Sequence, residues 1–237
     1  MNFKTIRFLK KTFIRLRLHV LYKSFTGIWQ QLAWMTKLSK WVSENKNITF
    51  NDFPSKWDYN KRYDLYKYVI EKEKLDVDLN YLEFGVADGH SFNWWMTQNI
   101  SLGSSFYGFD TFTGLPEDFG PYKKGTFNTN NNIPLIKDNR GKFFQGLFQQ
   151  TLPDFLKTFD NKNRTVIMFD ADLYTATLFA LTSLAPHLKK DDIIFFDEFV
   201  VPTHEFMAYT HFIDSYYFKL ELIGAANNYY FVAFKVK

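Results

Sequence analysis

Two apolar runs that each end on acidic residues constrain the fold of this chain more than any other feature. The run at 166–169 is followed by Asp170, and the run at 193–196 is followed by Asp197 and Glu198. Short runs without polar alternation are typical of strands buried on both faces, as in parallel sheets covered by helices. The carboxyl ends of such strands converge on a ligand crevice. We therefore expect these acids to lie together at one edge of a sheet.

Strand and helix patterns alternate from residue 80 onward. This order predicts an α/β fold, a doubly wound sheet with helices on both faces. The last two strands are joined by only five residues, too few for a helical crossover, so they are expected to form an antiparallel hairpin. The prediction is a mostly parallel, seven-stranded sheet with strands near 80–85, 105–110, 142–147, 165–170, 192–197, 218–223 and 229–236, and helices near 89–99, 153–160, 175–188 and 203–216.

A basic extension precedes this sheet. Residues 1–45 carry nine Lys or Arg and one acid, a net charge of +8, whereas the remaining 192 residues carry a net charge of −4. Apolar periodicity predicts helices in this part of the chain, over 3–23, around 29–41 and over 60–74, with a connector at 44–55. The expected division is an extension at 1–55 and an α/β domain at 56–237.

Three roles are open for the extension. Packing against the α/β domain or a second subunit is favoured, and the latter would make the protein a homo-oligomer. Attachment to an anionic membrane surface is an alternative, because basic amphipathic helices bind there. A nucleic-acid arm is disfavoured because the remainder of the chain is acidic.

The sequence has no long apolar span, no signal-peptide pattern and no cysteine. We therefore expect a cytoplasmic protein without disulfides or thiolate metal sites.

The first strand ends in a turn that suits a cofactor. Gly85 and Gly89 allow the backbone to pass close to a ligand, and the following helix begins with free N–H groups. The spacing is not that of a dinucleotide-binding GxGxxG motif. Glu83 near the strand end could meet a cationic group. The alternative is an ordinary strand–turn–helix junction capped by Asp88 or Ser91.

The second strand ends on Asp110, where an acid in a doubly wound sheet commonly binds ribose hydroxyls. The alternative is that Asp110 caps the turn before Gly114. Farther along, the stretch 117–141 contains several Gly, Pro and Asn residues. It is too long for an ordinary connection, which indicates a functional loop or a lid.

Taken together, these residues resemble the class I S-adenosylmethionine-dependent methyltransferases, and more closely the TylF/macrocin O-methyltransferase family, which acts on sugar hydroxyls. The resemblance implies a Rossmann-like fold, S-adenosyl-L-methionine as cofactor and a hydroxyl of a sugar or glycosylated small molecule as acceptor. It does not reach residues 1–45. Five segments carry it, in the family's order: Leu82–Val86, Gly108–Glu117, Gly146–Pro153, Asp170–Tyr174 and Phe196–Phe199.

The resemblance also implies roles for individual residues. His90 stands where the family tends to have a small residue, so it would narrow the room beside the cofactor or contact it. The implied cofactor-binding positions are Glu83, Phe84, Gly85, Gly89, His90 and Ser91 around the methionine part, Asp110 and Thr111 at the ribose, Gly146, Leu147 and Phe148 beside the adenine, and Asp170.

The same resemblance implies a metal site made of Asp170, Asp197 and Glu198, with Asp170 also serving as the catalytic base. The family usually has Asp-Asp where this chain has Asp197-Glu198, and Glu is one methylene longer. Carboxylates are the ligands that Mg²⁺ prefers. A bound cation lowers the pKa of a coordinated hydroxyl, and a nearby carboxylate can then take the proton. We therefore expect Mg²⁺-assisted O-methylation.

Other interpretations stay open beside this one. Asp172 is expected to cap the helix that follows it, and His204 and His211 are expected to be surface or packing residues on one helix face. The same cofactor could serve a phenol, an amine or a lipid-linked glycan. From a different class, the protein could be a non-catalytic scaffold that binds the cofactor, although a scaffold does not need a converged acidic cluster.

Overall fold

The computed structural model describes all 237 residues of the protein. The first part of the chain is helical, but Arg17 has a left-handed backbone with a φ of 50°. This residue interrupts the single helix that was predicted over 3–23, so that prediction is wrong. No helix is both long and apolar enough to cross a bilayer. The helices are α1 (Phe3–Arg15), α2 (His19–Tyr22), α3 (Thr26–Glu44) and α4 (Lys61–Glu73), with a 3₁₀ turn at Lys23–Phe25.

A single seven-stranded sheet lies at the centre of the protein. Its strands are β1 (Leu79–Phe84), β2 (Ser105–Asp110), β3 (Gly141–Gln145), β4 (Arg164–Phe169), β5 (Ile193–Phe196), β6 (Leu220–Ala226) and β7 (Phe231–Val236). The strand order is β3-β2-β1-β4-β5-β7-β6. The first five strands are parallel, and β7 pairs antiparallel with both β5 and β6. The predicted sheet with its C-terminal hairpin is confirmed.

Helices cover both faces of the sheet. Successive side chains of β4 point to opposite faces: Ile167 and Phe169 join the apolar cluster under the helices that follow β3, β4 and β5. Val166 and Met168 join the cluster under α4 and the helix that follows β1. Burial on both faces explains why this strand has no polar alternation. The remaining helices are α5 (His90–Gln98), α6 (Phe148–Leu156), α7 (Tyr174–Leu184) and α8 (Glu205–Tyr216).

A row of phenylalanine rings crosses the carboxyl ends of five strands. Neighbouring rings occupy paired positions on adjacent strands, with ring centroids 4.9 to 5.3 Å apart. Aromatic pairs of this kind contribute about 0.5–1.5 kcal/mol each beyond their burial. Because the strands are in register, the residues that follow the rings also form a row. The rings are Phe144, Phe109, Phe84, Phe169 and Phe196, and the row after them contains Asp110, Gly85, Asp170 and Asp197.

Helix α3 joins the N-terminal extension to the α/β domain. Trp34 is buried, and the ring of Trp41 lies 4.9 Å from Phe199 and 6.1 Å from Phe234. The helices before α3 bury no residue. The expected packing on the α/β domain is therefore a property of α3, and the domain boundary at residue 55 stays a prediction.

The region after β3 differs from the prediction. The strand ends at Gln145, and Gly146 turns the chain with a φ of 143°. Helix α6 then begins at Phe148, five residues before the predicted start, and Pro153 lies inside it. The backbone N–H of Leu147 donates to the side chain of Gln150 at 3.1 Å, which stabilises this earlier start. A glutamine side chain can cap the first turn of a helix in this way. The predicted start at residue 153 rested on the proline instead.

Candidate functional site

A cavity of about 700 Å³ opens at the carboxyl edge of the sheet, beside the ends of β1, β2, β4 and β5. The loop 117–141, which was predicted to be functional, covers part of it. The size, and the mixture of apolar walls with a few charged groups, are typical of a small-molecule site. Its lining includes Gly85, Asp110, Asp170, Asp197 and Glu198 from the strand ends, and Glu117, Tyr122 and Phe127 from the loop.

The turn after β1 approaches β4 very closely. Gly85 has a φ of +93°, and a Cβ placed on it would lie 1.8 Å from the carbonyl oxygen of Asp170. The backbone N–H of Asp170 donates to the carbonyl of Phe84 at 2.9 Å, so the two strands stay paired past this point. Only glycine fits here, because any side chain would collide with backbone. The close approach brings the predicted cofactor turn directly beside Asp170.

Asp110 holds this turn in place. Its Oδ2 accepts the backbone N–H groups of Val86 at 2.7 Å and Ala87 at 2.8 Å, and its Oδ1 accepts that of Phe112 at 2.7 Å. Three donors occupy most of the acceptor capacity of a carboxylate. The bond to Phe112 agrees with the alternative interpretation, a cap of the turn before Gly114, and the other two bonds hold the turn after β1. Asp110 also lines the cavity beside Thr111, and ribose binding by these two residues stays a prediction.

Glu83 lies beneath the glycine turn rather than on the cavity wall. Its side chain is buried; the Tyr81 hydroxyl donates to Oε2 at 2.5 Å and the Ser91 hydroxyl donates to Oε1 at 2.7 Å. Burial raises the pKa of Glu83 to about 8, although the bonds from Ser91 and Tyr81 act in the opposite direction. Glu83 thus braces β1 against the start of α5. Its predicted contact with the methionine group stays a prediction.

Other predicted cofactor positions lie at different depths. Phe84 belongs to the aromatic row, and Gly89 and His90 stand at the start of α5, where His90 is exposed. None of these three lines the cavity, and neither does Ser91. On the adenine side, Leu147 and Phe148 do line the cavity, while Gly146 forms the turn before them. Their roles toward a bound cofactor stay predictions.

The acidic residues meet around a buried arginine that the sequence patterns did not predict. Arg62 in α4 has a side chain only 3% exposed, and its Nη2 lies 2.8 Å from Oδ2 of Asp170 and 2.5 Å from Oδ1 of Asp197. Its Nε donates to the Tyr66 hydroxyl at 3.1 Å, and its guanidinium lies 4.6 Å from the ring centre of Tyr59. Two carboxylates and aromatic faces compensate the charge that burial would otherwise penalise.

The sequence does contain a signal for Arg62. The arginine occupies a position on the apolar face of a predicted helix, which is where an unpaired charge would be costly. A charged residue at such a position needs a partner within the core, and the partner here is the acid pair. The residues that share its face are Leu65, Tyr66 and Val69, three, four and seven positions later.

A second layer of acids lies beside this pair. The Tyr230 hydroxyl donates to Oε1 of Glu198 at 2.6 Å, and Glu205 accepts the backbone N–H of Glu198 at 2.9 Å. Asp172 has a φ of 60° and faces Glu198. Leu173 occupies the position before α7, and no side chain caps that helix. The interpretation of Asp172 as a helix cap is therefore wrong, because the left-handed backbone turns its side chain toward the acids.

Crowding shifts the ionisation of these groups. Burial, followed by the charge of Asp170, raises the pKa of Asp197 well above its usual range. Burial and the charge of Glu198 raise the pKa of Asp172 to about 10. Burial also raises the pKa values of Glu198 and Glu205. One guanidinium does not compensate five carboxylates, so the full negative charge persists only when further positive charge is present.

The donor chemistry fits a hard cation, although the side chains do not converge on one point. No group of three acidic or histidine side chains stands in an arrangement that could hold a metal ion, and Arg62 bridges two of the predicted ligands. Two buried carboxylate oxygens have no hydrogen-bond partner: Oδ1 of Asp197 and Oε2 of Glu198. The first lies close to Arg62, but without the geometry of a hydrogen bond. Carboxylate oxygens with free lone pairs are suitable ligands for Mg²⁺. Binding of the ion stays a proposal.

The two histidines near α8 make packing contacts. Nδ1 of His204 accepts the backbone N–H of Tyr174 at 3.4 Å, and burial lowers its pKa. Nδ1 of His211 lies 3.0 Å from the hydroxyl of Tyr174, and its ring lies 5.3 Å from Trp34. His204 precedes α8 rather than lying within it. Neither histidine lines the cavity, in agreement with the packing interpretation.

Several solved structures share this fold. CalS11, a calicheamicin methyltransferase, is 20% identical with a TM-score of 0.57, over 86% of this chain and 91% of that chain. A second structure of CalS11, described as a TDP-rhamnose 3′-O-methyltransferase, is 21% identical with a TM-score of 0.53. The match covers 86% of this chain and 93% of that chain. The O-methyltransferase NovP is 17% identical with a TM-score of 0.55, over 75% and 78%. A structure of cmcI with Mg and SAM is 14% identical with a TM-score of 0.52, over 84% of each chain.

The sequence itself matches a known family. Residues 82–199 match the family model described as a methyltransferase domain, whereas no curated protein matches the chain. The matched segment begins in β1, contains the strand ends that border the cavity, and ends just after Glu198. The family match and the shared fold lead to one conclusion: residues 82–199 form a methyltransferase domain, and the chain has the Rossmann-like fold of the methyltransferases CalS11 and NovP.

Proposed function

We propose that the protein transfers a methyl group from S-adenosyl-L-methionine to a hydroxyl of a sugar or of a glycosylated small molecule. The observation that carries this proposal is the row of acids Asp170, Asp197 and Glu198 at the strand ends beside the cavity. Such a row suits a reaction in which a hydroxyl loses its proton next to a cationic sulfonium. CalS11, which is described as acting on TDP-rhamnose, supports the choice of acceptor.

Asp170 is the proposed base. Its side chain is 25% exposed at the cavity, and Arg62 fixes its Oδ2 at 2.8 Å. S-adenosyl-L-methionine would supply a methyl group on a cationic sulfur, and the carbon–sulfur bond would break as that group moves to the acceptor oxygen. Asp170 would take the proton that the acceptor hydroxyl loses. Alignment of two bound reactants can supply as much as about 7–11 kcal/mol of the barrier reduction. Arg62 contributes by holding the carboxylate in one orientation.

The aromatic wall beside the acids suits a sugar ring. Trp57, Tyr59 and Tyr230 line the cavity, and the rings of Trp57 and Tyr230 meet edge to face at 4.6 Å. Aromatic rings offer an apolar surface to the C–H face of a sugar, while the nearby carboxylates accept its hydroxyl groups. This combination supports a sugar over a simple phenol or amine as the acceptor.

A divalent cation is part of the proposal. Asp170, Asp197 and Glu198 would hold it, and the uncompensated negative charge of the site supports its presence. Bound Mg²⁺ would lower the pKa of the acceptor hydroxyl. Exhaustive dialysis against EDTA is the test: we expect turnover to fall at least tenfold and to return with added Mg²⁺. Unchanged turnover after chelation would remove the metal from the proposal and leave Arg62 as the main countercharge.

Calorimetry and an acceptor panel test the function itself. We expect S-adenosyl-L-methionine to bind, and methyl transfer to occur with nucleotide sugars but not with phenols, amines or lipid-linked glycans offered in parallel. No heat at millimolar cofactor would contradict the cofactor assignment. Binding of the cofactor without turnover on any of these acceptors would favour the non-catalytic scaffold.

A cytoplasmic location, which agrees with the absence of cysteine, stays part of the proposal.

A further inference from the structure

The first helices expose many large apolar side chains. Helices α1 and α2 and the following 3₁₀ turn contain no buried residue, although this part of the chain is rich in Phe, Leu and Ile. Phe3 and Ile14 are 78% and 77% exposed, and Phe8 and Leu21 are each 67% exposed. Single exposed apolar residues are common on proteins, but contiguous apolar patches mark interaction sites.

Helix α3 extends this surface toward the α/β domain. One of its faces packs inward through Trp34, whose ring lies 6.1 Å from Phe206 of α8, and Gln31 donates to Thr203 at 3.1 Å. Its other face is also apolar, and each of its large side chains is more than half exposed. The surface is therefore joined to the catalytic domain by direct packing. The side chains of this second face are Ile28, Trp29, Leu32 and Met35, at the spacing of one helix side.

Basic side chains flank the apolar surface. Residues 1–45 carry nine Lys or Arg against one acid. Four of the basic residues follow one another at intervals of three or four along α1, so they form one side of that helix. Aromatic and aliphatic side chains occupy much of the remaining circumference. The basic side consists of Lys4, Arg7, Lys11 and Arg15.

We propose that this N-terminal surface, formed by residues 1–36, binds the face of a lipid bilayer that contains anionic phospholipid. Basic helices with exposed Phe, Trp and Leu insert their apolar side to the depth of the acyl boundary while their charges meet lipid phosphates. A second copy of the chain is the competing occupant, as the predicted homo-oligomer implies. Pairing this surface with itself would bring together two segments that each carry seven Lys or Arg and no acid, which charge repulsion opposes.

Co-sedimentation of the full-length protein with vesicles tests the proposal. We expect the protein to pellet with vesicles of phosphatidylcholine mixed with phosphatidylglycerol and to stay in the supernatant with phosphatidylcholine alone. Raising the salt concentration should release it, because the charge contribution is screened. Equal pelleting with both vesicle types, or none with either, would overturn the proposal.

Variants separate the apolar and the charged contributions. Changing Lys4 and Lys11 to Ala should lower the partition onto anionic vesicles about fivefold per charge, and Phe8→Ser with Ile14→Ser should lower it further still. Ile100→Ser with Leu102→Ser is the matched control, since these residues are 81% and 92% exposed but lie in a different surface loop. Circular dichroism and cofactor binding should be unchanged in all variants. A dimer by light scattering that Phe8→Ser dissociates, without vesicle binding, would instead identify a second copy as the occupant.

Discussion

At the scale of the residue, Asp170 is the group whose chemistry the proposed reaction needs most. Asp170→Asn keeps the size of the side chain and removes its ability to take a proton. We expect kcat to fall about 10²- to 10⁴-fold, with cofactor affinity changed by no more than a few-fold. Asp154→Asn is the control, because Asp154 is an exposed acid paired with Lys157 on α6. Turnover retained by Asp170→Asn would exclude it as the base.

Arg62 is expected to stabilise the folded protein as well as to orient the carboxylate of Asp170. Arg62→Met would leave Asp197 buried beside Asp170 without its cation, and breaking a buried ion pair costs about 3–5 kcal/mol. Arg62→Lys keeps the charge, so we expect a smaller loss, although lysine cannot reproduce the planar contacts of the guanidinium. Urea denaturation of both variants measures the difference. Equal destabilisation by the two would show that charge compensation is not the dominant contribution.

The raised pKa of Glu83 predicts that the free energy of unfolding depends on pH. Its pKa is raised from 4.5 to about 8 in the folded protein, so the folded state binds the extra proton between these values. The stabilisation is complete below about pH 4.5 and is lost as the pH rises through about 8. Thermal melts of Glu83→Gln and wild type should converge below about pH 4.5 and separate progressively as the pH rises from about 4.5 to about 8. Above about pH 8 the variant should keep a constant advantage. A constant difference at every pH would contradict the assignment.

At the scale of the element, the β1–α5 turn depends on a contact that only glycine permits. Gly85→Ala would place a Cβ 1.8 Å from the carbonyl oxygen of Asp170, so we expect a loss of about 3 kcal/mol or more in unfolding free energy and weaker cofactor binding. Gly125→Ala is the matched control: it has a similar φ of +86° but nothing within 4 Å of the added Cβ. It should cost only about 1 kcal/mol. Similar losses in both would attribute the effect to backbone conformation alone.

Elements also show where local patterns were sufficient. The strands β4 and β5 were predictable because their apolar runs have no polar interruption, and the C-terminal hairpin because its connection is short. The start of α6 was not predictable, because it depends on the turn at Gly146 and on the hydrogen bond from Leu147 to Gln150. The residue types alone do not specify the geometry of that turn. The break at Arg17 has no glycine or proline signal in the sequence.

At the scale of the whole molecule, the extension has two unequal parts. Deleting residues 1–24 removes no buried side chain, so we expect the melting temperature and turnover on a soluble acceptor to stay unchanged while vesicle binding is lost. Deleting residues 1–45 also removes Trp34 and Trp41 from the core around Phe199 and Phe234. That deletion should cost at least about 3 kcal/mol. Differential scanning calorimetry of both truncations measures this contrast, and equal stability would show that α3 is not part of the core.

The sequence alone determined the class of the fold, the edge of the sheet that carries the site and the acids Asp170, Asp197 and Glu198 within it. These follow from patterns along the chain, since a parallel strand places its last residues at a known edge. Only the tertiary structure decided that Arg62, 108 residues before Asp170, lies between two of these acids, that Asp172 faces them and that Glu83 is buried beneath the glycine turn after β1. Such contacts depend on how α4 and the loops pack across the sheet, and the spacing of residues in the sequence does not encode that packing.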